Sequence, residues 1–361
     1  MTEKSSSPHC KGLKISILSL TLLFTFVASS FGASEEGGKK TDFIIHHIKN
    51  SHEWHIATFG HTHLTIPLPI IIYSQDSGFE FFMSSRFKDE HHNNVEYKGY
   101  FLDSHDHIQA VDEGRSFIDL SITKNVASML VSVALLLWVF LTIARRYKSN
   151  PLGAPKGVQS LFEPIILFVR DEIAIPNIGK EKYMKFMPFL LTVFFFIWFN
   201  NLLGLLPAAA NLTGNIAVTA TLAIFTLIYT LKNSNKNYWT HIFNTPGVPW
   251  WLKLPIPLMP IVELIGVFTK PLSLMIRLFA NITAGHIIIL SVISLIFIFE
   301  SLYIGPVSVL FGLFMNMVEL LVAFIQAFVF TLLSAIYFGQ AVEEHHHEEE
   351  HHEEKLEKAT A

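Results

Sequence analysis

From residue 125 onward the chain is written in long apolar runs separated by short polar breaks, and the length of each run limits what it can be. Residues 126–144 carry no charge and are followed by Arg145, Arg146 and Lys148, which predicts a membrane-spanning helix whose far end lies in the cytoplasm. Residues 186–206, ending before Pro207, and 215–231, ending at Lys232 and Lys236, predict two further spans. Between the first two spans, residues 160–175 set Arg170, Asp171 and Glu172 beside Phe162, Ile165, Ile166 and Phe168. That stretch is too charged to span and predicts an amphipathic helix lying at the interface.

Two longer runs follow, 254–299 and 302–342. Each is about 40 residues, about 60 Å as a helix, against a hydrocarbon core of about 30 Å. Each is therefore either a helical hairpin or one long helix lying steeply tilted. Beyond Pro255, Pro257 and Pro260 the first run is broken only by Lys270-Pro271, and the second has no break after Pro306. That favours two long tilted helices, over 258–299 and 305–342, and an all-α polytopic membrane protein of about five membrane helices.

The chain ahead of these spans differs in kind. Lys4, Lys11 and Lys14 precede an apolar run over 15–27, and small residues follow at Ser29, Ser30, Gly32 and Ala33, so residues 1–33 read as a secretory signal. An uncleaved first membrane helix is the alternative, and the run is short for one. Residues 34–122 are polar and rich in histidine, among them His46, His47, His91, His92, His105 and His107. Short alternating stretches at 63–73 and 80–87, with Pro67 and Pro69 opposing helix, predict a small β or irregular extracytoplasmic domain. His61, His63, His52 and His55 are its best candidate metal ligands, but they lack the compact spacing of a structural zinc site, and exposed polar histidines are the simpler reading. The loops agree on orientation. Residues 145–185 carry Lys and Arg, residues 232–253 carry Lys232, Lys236 and Lys253, residues 208–214 carry neither type, and the positive-inside rule then places the amino terminus outside and the carboxyl terminus in the cytoplasm.

Composition narrows the class. Of 361 residues, 51% are hydrophobic and 16% charged, where soluble chains run near a quarter charged. Thirty-two Phe against nine Tyr and six Trp suit a lipid-facing surface. A net charge of −4 offers no basic excess for nucleic acid, and the single cysteine, Cys10, excludes an internal disulfide.

Against this background a few residues in the last two runs are expensive. Glu263, Lys270, Arg277, Asn281, His286, Glu319 and Gln326 sit in apolar sequence. An arginine at mid-membrane costs about 2.5–3.5 kcal/mol on insertion scales. Arg277 has apolar residues on both sides, so it requires a carboxylate partner, a water-filled cavity, or both. One reading pairs it structurally with Glu319 or Glu263 and gives it no other role. Arg277 and Asn281 are spaced i, i+4 on one helical face, while Asn316, Glu319 and Gln326 form a stripe on the last helix. His286 and Glu319 are of the types that relay protons in membranes. No metal-ligand set, nucleophile–base pair or phosphate-binding loop accompanies them, so no metal and no cofactor are expected, and the chemistry available is proton movement.

The same residues carry a resemblance. The segment Lys270-Pro271-Leu272-Ser273-Leu274-Met275-Ile276-Arg277-Leu278-Phe279-Ala280-Asn281, with Ala284-Gly285-His286, resembles the signature of subunit a of the F-type ATP synthase. Residues from Glu319 through Gln326 to Tyr337 resemble that subunit's last helix, and Pro188-Phe189-Leu190 with Asn200-Asn201-Leu202 to Pro207 resemble its second span. The resemblance covers roughly residues 125–342 and leaves the His-rich segment and the tail unexplained.

It implies a non-catalytic subunit of the bacterial inner membrane. Such a subunit is the stationary half of a rotary proton channel, facing a ring of c subunits and held in the remainder of the complex with the b subunits of the peripheral stalk. Arg277 matches the essential arginine, and Asn281 and Gln326 match flanking polar positions. His286 and Glu319 match a pair whose residue types some relatives carry exchanged. By the same resemblance His286 and Glu319 belong to the extracytoplasmic inlet and Glu263 to the cytoplasmic side. Two rivals stand beside it. A proton-coupled secondary transporter would show internal repeats, and none is evident. A metal permease is suggested by 18 His, of which only His286 lies within a span. Residues 343–361, with His345, His346, His347, His351 and His352 among glutamates, read as a solvated acidic tail, or as a metal- or pH-sensing appendage.

Overall fold

The computed structural model describes residues 51–59, 62–88, 94–103, 106–112, 114–149, 153–206, 211–243, 258–299 and 304–343. The predicted signal segment, the acidic tail beyond Glu343 and the histidines His46, His47, His61, His91, His92 and His105 lie outside the described residues. Contacts divide the chain into two units, one of residues 1–130, 203–210 and 289–312, the other of 131–202, 211–288 and 313–361.

The first unit is built on strands. β1 (Glu53–Phe59) pairs antiparallel with β2 (Thr62–Pro67). β3 (Pro69–Ser74) lies between β4 (Gly78–Met83) and β7 (Phe117–Asp119), and β5 (Tyr100–Leu102) pairs with β6 (Ile108–Ala110). The two prolines that oppose helix fall at strand ends, where a missing ladder donor is tolerated. Alternation in β3 sends Ile70 and Ile72 into a core with Phe82, Phe87, Tyr100, Leu102 and Ile108. The stretch 80–87 does not stay extended, because Ser84–Phe87 closes into a 3-10 turn that buries Phe87.

His52 is committed inside this unit. Its Nδ1 lies 2.9 Å from the Asp106 carbonyl, and its Nε2 stands 3.8 Å from Asp119 Oδ2. Burial pushes the Asp119 carboxyl up, but the facing His52 imidazole and the hydrogen bonding from Ser121 outweigh it and hold the group below its usual range. The ladder continues past β7. Leu120 N–H donates to Ile71 O, Ile122 N–H to Pro69 O and Lys124 N–H to Ser51 O, which carries the strands to the first residue of the first helix.

The remaining elements are helices: α1 (Lys124–Ser149), α2 (Val158–Phe168), α3 (Ile175–Ile178), α4 (Tyr183–Gly204), α5 (Ile216–Lys232), α6 (Lys236–Phe243), α7 (Leu258–Phe299) and α8 (Ile304–Val342). Among the described residues four of these, α1, α4, α7 and α8, are long and apolar enough to cross a membrane, and α5 with α6, a single pair bent by 103°, makes a fifth if taken as one span. α7 and α8 are each single helices of 42 and 39 residues, so neither run is a hairpin. Lys270-Pro271 does not break α7. Pro271 is buried and lines a cleft with residues of α5 and α8, and a membrane helix passes through proline where neighbouring helices pack around it.

Within the second unit the core is aromatic and centred on α4, whose Phe186, Leu190, Phe194, Phe195 and Ile197 are buried. The amphipathic stretch 160–175 is α2 followed by a π-helical turn over Val169–Ala174. The wider turn brings Val169, Ile173 and Ala174 all inward, while Arg170 and Asp171 pair on the outside at 2.7 Å, which lowers the Asp171 carboxyl and raises the guanidinium.

Three contacts fix the end of α8. Asn235 N–H donates to the Ala341 carbonyl, Asn235 Nδ2 donates to the Val342 carbonyl at 3.0 Å, and Lys182 Nζ donates to the same carbonyl at 2.9 Å. Those carbonyls have no partner within their own helix, so the neighbours supply the cap. One turn earlier Gly339 lies so close to the Asn177 carbonyl oxygen that a Cβ there would collide with backbone. Gly339→Ala is therefore expected to destabilise the protein by about 1–3 kcal/mol or more. Gly266→Ala, where nothing stands within 4 Å, should be tolerated. Thermal unfolding of the two variants in detergent measures the difference.

Candidate proton-path site

Glu263, Lys270 and Arg277 recur at intervals of seven residues on α7, so they form one stripe with successive members about 10 Å apart along the axis. Leu274, Leu278 and Ile282 make the buried face of α7, and Arg277 stands at its flank, half-buried, with Asn281 exposed one turn on. Among the described residues Arg277 has no hydrogen bond and no ion pair. Neither Glu263 nor Glu319 pairs with it, so the purely structural reading of Arg277 finds no partner within the described chain. The guanidinium charge does reach the Tyr337 phenol on α8.

Two other candidate groups lie further along. Glu319 on α8 is buried, with its Oε2 lacking a hydrogen-bond partner among the described residues. The carboxylate lies against α7 at Gly285, where a Cβ would stand 3.2 Å from Glu319 Oε1. Gly285 precedes His286, so the absent side chain lets the acid approach α7 beside the histidine, which is itself half-buried. Two turns along α8, Gln326 is buried at 6% exposure.

Lys270 is placed by α8. Its Nζ donates to Gln340 Oε1 at 2.8 Å and lies 5.5 Å from the Tyr337 ring centroid. With Thr226, Thr230 and Tyr238 these three side chains line a small cleft, and the Glu263 charge is felt at both Lys270 and Tyr238. Among the described residues no group of three or more His, Cys, Asp or Glu gathers in a way that could hold a metal ion.

Residues 126–339 match a family model described as the ATP synthase A chain. The chain belongs to that family. It is 44% identical to the ATP synthase subunit a of Chloroherpeton thalassium over 65% of this chain and 70% of that one. It is 39% identical to the ATP synthase subunit a 2 of Chlorobium luteolum over 86% of this chain and 78% of that one. A third relative, the ATP synthase subunit a 2 of Prosthecochloris aestuarii, is 48% identical over 62% and 69%. The family match runs from the first turn of α1 to Gly339, and residues 43–128 match a second family, described as a domain of unknown function.

One polar junction was not singled out by sequence reasoning. Asn201, near the end of α4, donates from Nδ2 to the Ala323 carbonyl on α8 at 3.2 Å and accepts at Oδ1 from the Thr213 hydroxyl at 2.7 Å. It is buried, and Ala323 lies one turn before Gln326, so the amide sets the height of α8 beside α4. The sequence signal was an asparagine pair inside an apolar run that resembles the family's second span, and spacing alone does not tell which of Asn200 and Asn201 reaches another helix. Asn201→Leu should leave the buried Thr213 hydroxyl without its acceptor, remove the bond to the Ala323 carbonyl, and cost about 1–3 kcal/mol. Thermal unfolding in detergent checks it, with Asn211→Ala, which breaks a turn bond near the same loop, as comparison.

Proposed function

We propose that this chain works as the stationary subunit a of the membrane sector of an F-type ATP synthase, a multi-pass membrane protein coupling proton flow to ATP synthesis as part of the larger complex. Membership of the family supports the subunit. The observation that carries the mechanism is Arg277, a cation in an apolar helix without a counter-charge among its own described residues. Its partner is then supplied from outside the chain, and a ring of c subunits bearing membrane carboxylates is the partner whose chemistry fits. No observation favours a proton-coupled transporter.

In this reading Arg277 meets each ring carboxylate as it passes. At an effective dielectric of about 20, opposite charges about 4 Å apart gain about 4 kcal/mol, which lowers the acid's pKa by roughly 3 units. The proton therefore leaves before the carboxylate passes the arginine, and protons cannot cross without turning the ring. Arginine suits the task because it keeps its charge where a lysine would lose it. Each proton moved through the potential supplies about 2.3 kcal/mol per 100 mV, so leakage past this point would uncouple the machine.

Glu319 and His286 serve the extracytoplasmic half-channel. The approach of the Glu319 carboxylate to Gly285 supports a shared site in which acid and imidazole hand on one proton. Asn281 and Gln326 line the path on either side of the guanidinium. Glu263 serves the cytoplasmic half-channel, near Lys270 and Tyr238. The subunit is not itself catalytic, and the b subunits of the peripheral stalk hold it against the ring in the inner membrane. Its amino terminus lies outside the cytoplasm behind a signal peptide, residues 34–122 form an extracytoplasmic domain, and the tail is cytoplasmic.

Arg277→Ala is expected to abolish ATP synthesis driven by a proton gradient in membrane vesicles while the complex still assembles. Retained synthesis contradicts the role. Gly285→Ala supplies a subtler test. Alanine favours helix over glycine by about 1 kcal/mol, so folding is not impaired. The new methyl displaces the Glu319 carboxylate, and proton flux through the assembled sector should fall several-fold. Unchanged flux would remove Glu319 from the path.

A further inference from the structure

The sheet β4-β3-β7 has two unlike faces. One packs into the core through Ile70, Ile72 and Phe82. The register puts Tyr73 opposite both Phe79 and Ile118, and Ile71 opposite Phe81, all on the other face. That face is apolar and open: Phe79 is 74%, Phe81 67% and Ile118 59% exposed, and Met83 extends it along β4. The acidic side chains of these strands, Glu80 and Asp119, pair with Ile72 on the opposite side, so no charge from the three strands interrupts the apolar face. Contiguous apolar surface of this kind on a folded unit marks a binding surface.

The place of the sheet in the chain says what covers it. Only residues 120–123 separate β7 from α1, which bounds the distance to about 17 Å even if fully extended. Two of those four, Leu120 and Ile122, are held on β3 by backbone hydrogen bonds, and the exposed Leu120 continues the apolar surface toward the helix. α1, which follows in sequence, is long and apolar enough to cross a membrane. An uncharged face of phenylalanine, isoleucine and methionine tethered within four residues of a membrane helix is chemically matched to lipid, with Tyr73 suited to the headgroup level. We propose that the β4-β3-β7 sheet lies with this face against the extracytoplasmic leaflet of the bilayer, as a monotopic patch beside the first span. The inference rests on the assignment of α1 to the membrane and not on the proton path.

The distance along β4 makes the arrangement testable. Met83, Phe81 and Phe79 are spaced by two residues, so about 14 Å separates the ends of the series. A sheet standing upright from the membrane would wet Phe79, and a sheet lying on it would not. Cys10 is the only cysteine, so Cys10→Ser gives a chain into which Met83→Cys, Phe81→Cys and Phe79→Cys are introduced one at a time. The assembled complex, otherwise free of reactive thiols, is nitroxide-labelled and placed in vesicles of phosphatidylethanolamine and phosphatidylglycerol. Power saturation by oxygen and by an aqueous nickel chelate is then compared, with Gln75→Cys in the polar turn as the wet reference. All three β4 labels should collide preferentially with oxygen, and Gln75→Cys with nickel. Nickel access at Phe79→Cys and Phe81→Cys would overturn the proposal in favour of a sheet held in water. Shielding from both agents would overturn it in favour of a covering protein subunit. Normal proton-driven ATP synthesis by the labelled complexes would keep either failure separate from the assignment of function.

Discussion

A guanidinium that cannot lose its proton, carried on an apolar helix with no opposite charge among the described residues, is the constraint around which the rest of this protein is organised. Such a group is stable in a membrane only if water or a partner compensates it. Because α7 offers Arg277 at the flank of its buried face, the compensation is not sealed inside the subunit. The remaining ionisable groups on α7 are distributed along the helix and not gathered around the arginine. Glu263 and Lys270 lie toward one end, where Gln340 and Tyr337 hold the lysine, and His286 lies toward the other, where Glu319 packs against the preceding Gly285. That separation suits a charge standing between two routes, and it would be wasteful in a structural ion pair.

A charge fixed on α7 needs a fixed neighbour, and the scaffold supplies one in α8 by means that owe little to the lipid. The end of α8 is capped by Asn235 and Lys182, its last turns pass within backbone contact of Asn177, and Asn201 holds its middle to α4. The hydroxyls of Thr331 and Ser334 bond to their own helix, so polarity inside the second unit does not open it to water. Aromatic packing around α4 completes the frame, with Phe186 stacked on Phe338 at 5.0 Å. Small residues at Gly285 and Gly339 do opposite things in this frame: one admits a carboxylate, the other admits backbone.

Much of this was legible in the residues. Apolar runs of span length, ended by Lys and Arg, locate α1, α4 and α5 to within a few positions, because cost per residue in lipid is high enough to leave a clear record. The choice between hairpin and long helix was harder. Lys270-Pro271 carries a local signal to stop, and it is overridden by packing from α5 and α8 that no window of sequence contains. The same limit explains Asn201, whose partner Ala323 is 122 residues away, and His52, which looks like a possible ligand until Asp106 and Asp119 close around it. Alternation in β3 and β4 announces a sheet with two faces, but only the structure tells which face is packed and that the other is left open.

The most direct test of the central claim asks what Arg277 faces. Asn281 is exposed one turn away on the same side of α7, so Asn281→Cys in a cysteine-free chain places a thiol beside the arginine without removing it. A second cysteine goes next to the membrane carboxylate of the c subunit, and the intact complex is oxidised in its native membrane. The account predicts a disulfide between this chain and the ring, with rotation-dependent ATP synthesis blocked until the bond is reduced. Efficient labelling of Asn281→Cys by lipid-soluble reagents, with no bond to any c subunit, would contradict it.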